Sequence, residues 1–196
     1  PSTPTLEQVA GHGFREAITS PDDVIRYMEA LHAAAPGRTA LVRYGTTWQG
    51  RPLVALVIGT PERIAGLEAI KADLGTLNDP RGLSAADADA LLARLPVVTM
   101  VLHGIHGNEI TSSGAAMAEA YHLLAAQGDP DVELAFRESL MIIEPMENPD
   151  GRARYLAANQ LGAARWPDPD PVAAERNEPW PGGRGNHYLF DLNRDL

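Results

Sequence analysis

Val97-Val98-Thr99-Met100-Val101-Leu102-His103-Gly104-Ile105-His106-Gly107-Asn108-Glu109 is the stretch whose reading decides the fold. The apolar run 97–102 reads as a strand, the Gly-rich turn marks its carboxyl end, and an Ala-rich helix follows over about 112–126. A second apolar run, Leu140-Met141-Ile142-Ile143, leads to a second turn, Asn148-Pro149-Asp150-Gly151. Strands at 97–102 and 139–144 separated by helices make a β-α-β pattern. It predicts neighbouring parallel strands in a three-layer α/β/α arrangement with a mixed, largely parallel sheet. Open α/β sheets carry their ligand sites at strand carboxyl ends, which is where His106 and Glu109 fall. Residues three apart share a helix face, so a helical turn beginning there would aim an imidazole and a carboxylate at one cation. Zinc accepts both donor types, and its catalytic sites combine three protein ligands with an open position. Taken alone, the same H-x-x-E pair also fits a surface His beside a Glu.

Two more segments extend the pattern. Arg43-Tyr44-Gly45-Thr46-Thr47-Trp48-Gln49-Gly50-Arg51-Pro52 precedes it, and Asp191-Leu192-Asn193-Arg194 closes the chain after a Gly-rich stretch that holds Arg184. The hairpin, then His106-Gly107-Asn108-Glu109, then Asn148-Pro149-Asp150-Gly151, then Asp191-Leu192-Asn193-Arg194 resemble, in that order, the motifs of the metallocarboxypeptidases of the carboxypeptidase A type. The resemblance spans roughly residues 15–196. Each motif is short, and the order of all four makes the match specific.

The resemblance implies that His106 and Glu109 are zinc ligands and that Asn193 and Arg194 grip the terminal carboxylate of a substrate. It also implies that Arg184 polarises the scissile carbonyl and stabilises the oxyanion. Arg165 and Arg176 lie in the same loop and compete for that role. The implied activity is hydrolysis of a C-terminal peptide bond, the implied cofactor Zn2+, and the implied partner a peptide or protein C-terminus. The residue types suit this chemistry, because Arg offers a planar fork that meets a carboxylate in two parallel hydrogen bonds, which Lys cannot copy.

The family also uses a third zinc ligand, a His, and a late Glu as general base; both are expected beyond Leu196. The five other histidines are poor substitutes: His12 and His32 lie upstream, His122 falls inside a helical stretch, and His187 sits between Arg184 and Asn193, where it could line the cleft. His103 occupies a loop position of the pattern. The chain therefore reads as the N-terminal portion of a larger catalytic domain, incomplete at the C-terminus. Expected consequences are no turnover from these residues alone, weak zinc binding, and self-association through uncovered sheet edge and apolar surface.

Composition narrows the alternatives. With 196 residues one domain is the default. A formal net charge of −10 argues against nucleic acid and anionic membranes as partners. No run approaches about 18 apolar residues, so no membrane span is expected. The absence of cysteine removes disulfides and thiolate metal sites. The start at Pro1 rather than Met suggests a removed export signal, hence a periplasmic or secreted location, although a cytoplasmic one also fits.

Punctuation organises the rest. Ser20-Pro21-Asp22-Asp23 reads as a cap, a first-turn Pro and an acidic first turn of a helix that Gly37 stops. Residues 39–47 and 53–58 read as a hairpin. Helices are expected around 61–74 and 84–94, the second capped by Ser84, and 60–95 reads as an insertion. A short helix about 130–137 and one about 150–158 complete the regular part. Gln160–Gly185, rich in Pro, reads as a long irregular loop, either a disordered surface loop or a rim over the cleft.

Two other functions share this pattern. A zinc-dependent N-deacylase of the succinylglutamate desuccinylase and aspartoacylase type shows the same H-G-N-E and D-L-N-R motifs. The Thr46–Pro52 hairpin and Asn148-Pro149-Asp150-Gly151 favour the carboxypeptidase. A non-catalytic binding module on the same scaffold is the third reading.

Overall fold

The computed structural model describes residues 2–194. Thr39–Thr46 (β1) and Pro52–Ile58 (β2) form an antiparallel hairpin. Val97–Leu102 (β3) and Ser139–Glu144 (β4) lie side by side and parallel, with Val97 opposite Ser139 and Leu102 opposite Glu144. β2 pairs antiparallel with β4, which gives the order β1-β2-β4-β3. The sheet is mixed, with helices on both sides. Its parallel part is the β3–β4 pair that the β-α-β spacing predicted, and the hairpin brings the antiparallel pairings.

The helices are Leu6–Ala10 (α1), Pro21–Ala34 (α2), Pro61–Ala65 (α3), Leu67–Asn78 (α4), Ala85–Arg94 (α5), Thr111–Ala125 (α6), Pro130–Glu138 (α7) and Pro149–Gly162 (α8). Their starts follow from capping chemistry. The Ser20 hydroxyl accepts from the Asp23 amide and Ser84 from the Asp87 amide, satisfying donors the first turn leaves free. Asp129 does the same for α7 and Asn148 for α8. The single helix expected over 61–74 is two, because Gly66 ends α3 by donating to the Glu62 and Arg63 carbonyls and a second helix starts after it. Gly is a poor interior helix residue, which makes that break cheap. α8 runs past the expected end at 158, and the short α1 was not expected. It rests on a reciprocal cap between Thr5 and Gln8.

Side chains alternate across a strand. Val54, Leu56 and Ile58 of β2 therefore share a face with Ile143 of β4. That face packs on α2 and α6 through Tyr27, Met28, Leu31 and Met117, all fully buried. Val98, Met100 and Leu102 of β3 fall on the opposite face with Leu140, Ile142 and Glu144. β3 is an edge strand, and its Val97, Met100 and Leu102 are more than half exposed. Among the described residues no helix is long and apolar enough to cross a membrane.

Candidate metal centre

The parallel pair brings two loops together at its carboxyl end. Backbone bonds continue past the strands: His103 N donates to Glu144 O, Glu147 N to His103 O and Asn148 N to Gly104 O. Between β3 and α6 the chain makes a helical turn, with the Glu109 amide on the His106 carbonyl at 3.1 Å. That turn puts His106 Nδ1 3.0 Å from Glu109 Oε1. His106 is only 4% exposed, whereas the Glu109 side chain is 52% exposed, so the pair is approached from the carboxylate side.

The second imidazole nitrogen is held. His106 Nε2 lies 2.8 Å from Asp191 Oδ1. The other oxygen of Asp191 accepts from Arg184 Nε at 2.8 Å, and Arg184 Nη1 stands 3.6 Å from Glu109 Oε1. The hydrogen bond with His106 first, then the Asn193 amide and Arg184, hold the Asp191 carboxyl down to about 2. An ionised carboxylate on one ring nitrogen fixes the ring's orientation and leaves the other nitrogen free to bind a metal. The donor set, an oriented imidazole nitrogen beside an accessible carboxylate, fits two of the ligands zinc uses. Among the described residues no group of three or more His, Cys, Asp or Glu is placed to hold a metal ion.

The remaining motif residues fasten this pair in place. Asp150, at the start of α8, accepts from Thr47 Oγ1 at 2.9 Å, the Gln49 amide at 3.2 Å and Arg51 Nη1 at 2.7 Å. Those bonds hold its carboxyl below the usual range despite burial. They also lock the hairpin turn onto the second loop. Asn148 reaches the carbonyls of Arg184 and Gly185, each at 3.2 Å, and Arg154 donates to Gly182 and Gly185. Gly107 is there for close approach: a Cβ on it would lie 2.1 Å from the Arg152 nitrogen. A Cβ on Gly151 would lie 2.1 Å from the Gly183 carbonyl. The His106–Glu109 and Asn148–Gly151 motifs thus meet backbone to backbone, with Gly183 pressed against the second.

Of the residues read from the sequence, His106, Glu109 and Arg184 are brought together. Arg165 stacks on Trp166, with its guanidinium 5.4 Å from the ring, and Arg176 closes a short 3-10 turn at Ala174–Arg176. Arg184 is therefore the loop arginine at the site. Asn193 and Arg194 are exposed, the guanidinium of Arg194 bonds the Asn193 carbonyl at 2.9 Å, and neither side chain makes a hydrogen bond or ion pair with His106 or Glu109 among the described residues. His187 sits 3.8 Å from Asp150 and beside Trp48, His122 3.3 Å from Asp129, and His103 3.8 Å from Glu119. Asp191 was quoted within its motif but given no role. A ligating His needs an acceptor for its other nitrogen, but which residue supplies it is set by a contact between distant parts of the chain.

The zinc carboxypeptidase family, Peptidase_M14, matches residues 24–195. No curated protein matches the chain in a sequence search. Among solved structures, thrombin activatable fibrinolysis inhibitor (TAFI) superposes with a TM-score of 0.53 at 14% identity, over 72% of this chain and 28% of that one. Carboxypeptidase A from Helicoverpa armigera gives a TM-score of 0.52 at 15% identity, over 97% of this chain and 47% of that one. The chain spans less than half the length of either, and at these identities the likeness is one of fold. The family match, covering most of the residues, adds the ancestry: the chain belongs to the zinc carboxypeptidase family.

Proposed function

We propose that this chain carries part of the active site of a zinc-dependent metallocarboxypeptidase, which cleaves the C-terminal peptide bond of its substrate by metal-activated water. The observation that carries the reading is the 3.0 Å approach of His106 Nδ1 and Glu109 Oε1, with the opposite ring nitrogen held by Asp191. His106 and Glu109 would hold the metal. A bound zinc ion supplies Lewis-acid polarisation of the scissile carbonyl and makes hydroxide available near neutral pH. Asp191 orients His106, and its ionised state keeps that orientation through the neutral range. Arg184, positioned by Asp191, offers its remaining donors to the oxyanion. Asn193 and Arg194 bind the terminal carboxylate, with the Arg fork setting the preference for a free C-terminus. A third ligand and a general base join them from outside the described residues, so the chain on its own is inactive in this reading. The helical segment 60–95 is an insertion in the same domain. Export to the periplasm or medium belongs to the same proposal and is tested by cell fractionation.

The lock between the hairpin and Asp150 favours this reading over the N-deacylase, whose shared motifs do not include it. The test compares peptides with free and amidated C-termini, and N-acyl amino acids, using the active protein that contains this chain. Selective hydrolysis of the free peptide is expected, with Arg184→Ala lowering turnover by about 100- to 1000-fold. Equal cleavage of free and amidated peptides, or activity on N-acyl amino acids alone, contradicts it.

A further inference from the structure

A cavity of about 850 Å³ opens between the 14–19 segment, α6 and α8. Its walls are chiefly apolar, with Leu6, Phe14, Ile18, Ile110 and Leu156 among them. None of His106, Glu109 and Arg184 lines it. The α6 wall is built of Thr111, Gly114, Ala115 and Ala118, and a Cβ added at Gly114 would meet nothing within 4 Å. Small side chains on that wall keep the space open. The volume lies in the range of pockets that take small organic ligands.

One cationic residue in this wall is nearly inaccessible to solvent. Arg152 is 3% exposed, yet its hydrogen bonds go to backbone carbonyls and among the described residues it makes no ion pair. Its Nε donates to the Thr19 carbonyl at 2.9 Å and its Nη1 to the Ile110 carbonyl at 3.0 Å, both neutral acceptors. Nη2 has no partner among the described residues. Buried charges are normally paired, because leaving water without a counter-charge is costly. Burial accordingly pulls the Arg152 pKa down to about 10. Arg15 and Arg165 also line the cavity, against Glu16 and Glu175. Both of those carboxylates are engaged with backbone amides, Glu16 with Gly13 at 2.6 Å and Glu175 with Asp168 at 2.9 Å. A chain of net charge −10 therefore keeps a cavity where cations outnumber anions.

We propose that this cavity binds a small organic carboxylate with an apolar body, of the fatty-acid type, its carboxylate meeting the Nη2 edge of Arg152 and its hydrocarbon part filling the space beside α6. The ligand completes the missing half of an ion pair without disturbing the two bonds that Arg152 already makes. Those bonds tie the N-terminal segment to the start of α6, so binding stabilises the native chain. The site is separate from the metal centre, and its test needs neither metal nor turnover.

Octanoate is the probe, with octanol as its neutral counterpart and acetate as the headgroup alone. Calorimetry on the full chain should show one octanoate per chain, with octanol and acetate each at least about tenfold weaker, since charge-assisted hydrogen bonds outweigh neutral ones. Octanoate should also raise the melting temperature. Arg152→Gln should erase the preference for octanoate over octanol. Gly114→Phe fills the cavity from α6, leaves Arg152 alone, and should abolish binding while the melt is retained. If Arg152→Gln does not fold, Gly114→Phe and the octanol comparison decide. Equal binding of octanol and octanoate, binding unchanged by Gly114→Phe, or no octanoate binding at millimolar concentration overturns the proposal.

Discussion

Glu144 ends β4 opposite Leu102, on the face of the sheet away from the main core, and is only 6% exposed. Among the described residues its carboxylate accepts no hydrogen bond and faces no cation. Burial, with Glu147 adding repulsion, pushes its pKa from the ordinary 4.5 to about 7. The unfolded chain releases this proton near pH 4.5 and the native chain only near 7. Between those values the native state binds more protons, so stability falls as pH rises. A tenfold change in proton affinity corresponds to about 1.4 kcal/mol, so the native state loses up to about 3 kcal/mol by pH 8. Glu144→Gln keeps the shape and removes the titration. The variant should match the parent at pH 4 and exceed it by about 2–3 kcal/mol at pH 8. For a chain of this size that is on the order of 5–10 °C in melting temperature. Thermal and urea melts followed by circular dichroism at both pH values read it directly. A variant no more stable than the parent at pH 8, or a parent whose advantage over it grows between pH 5 and 8, refutes the reasoning.

Asp150→Ala removes the anchor of the hairpin and strands the Arg51 guanidinium, so a loss of about 2–4 kcal/mol in urea denaturation is expected; a loss under about 1 kcal/mol would show that the anchor is dispensable. Because the native pKa of Asp150 is depressed, its contribution is present above the unfolded pKa near 4 and disappears as pH falls through the lower native value. Gly107→Ala forces a Cβ against the backbone nitrogen of Arg152, at a cost of about 3 kcal/mol or more. A parental melting temperature for that variant would mean that the two loops are not pressed together.

Much of this fold was readable because its punctuation is local. Pro21 and Ser84 announce helix starts through chemistry that lies within one turn. The β3–β4 pair followed from two apolar runs and the helices between them. Gly66 was harder, since a lone Gly inside a helical pattern can be tolerated or can end the helix. α1 escaped because five residues leave no periodicity to detect. The metal pair was legible for a similar reason: His106 and Glu109 are three residues apart, and one helical turn settles their geometry. The role of Asp191 depends on a contact across 85 positions, which no local pattern encodes. The bonds from Asp150 to Thr47 and Arg51 cross about as much chain. Arg152 is further still from prediction, because its burial arises where the 14–19 segment, α6 and α8 converge. In the sequence it looks like an ordinary basic residue in a helix's first turn.

The central claim is that His106 and Glu109 act together on one zinc ion. The most direct measurement is a calorimetric zinc titration of the chain beside its His106→Ala and Glu109→Gln variants. Weak, one-to-one binding that either substitution abolishes is the predicted result, since two protein ligands leave a zinc site underfilled. Tight stoichiometric binding that survives His106→Ala would contradict the account.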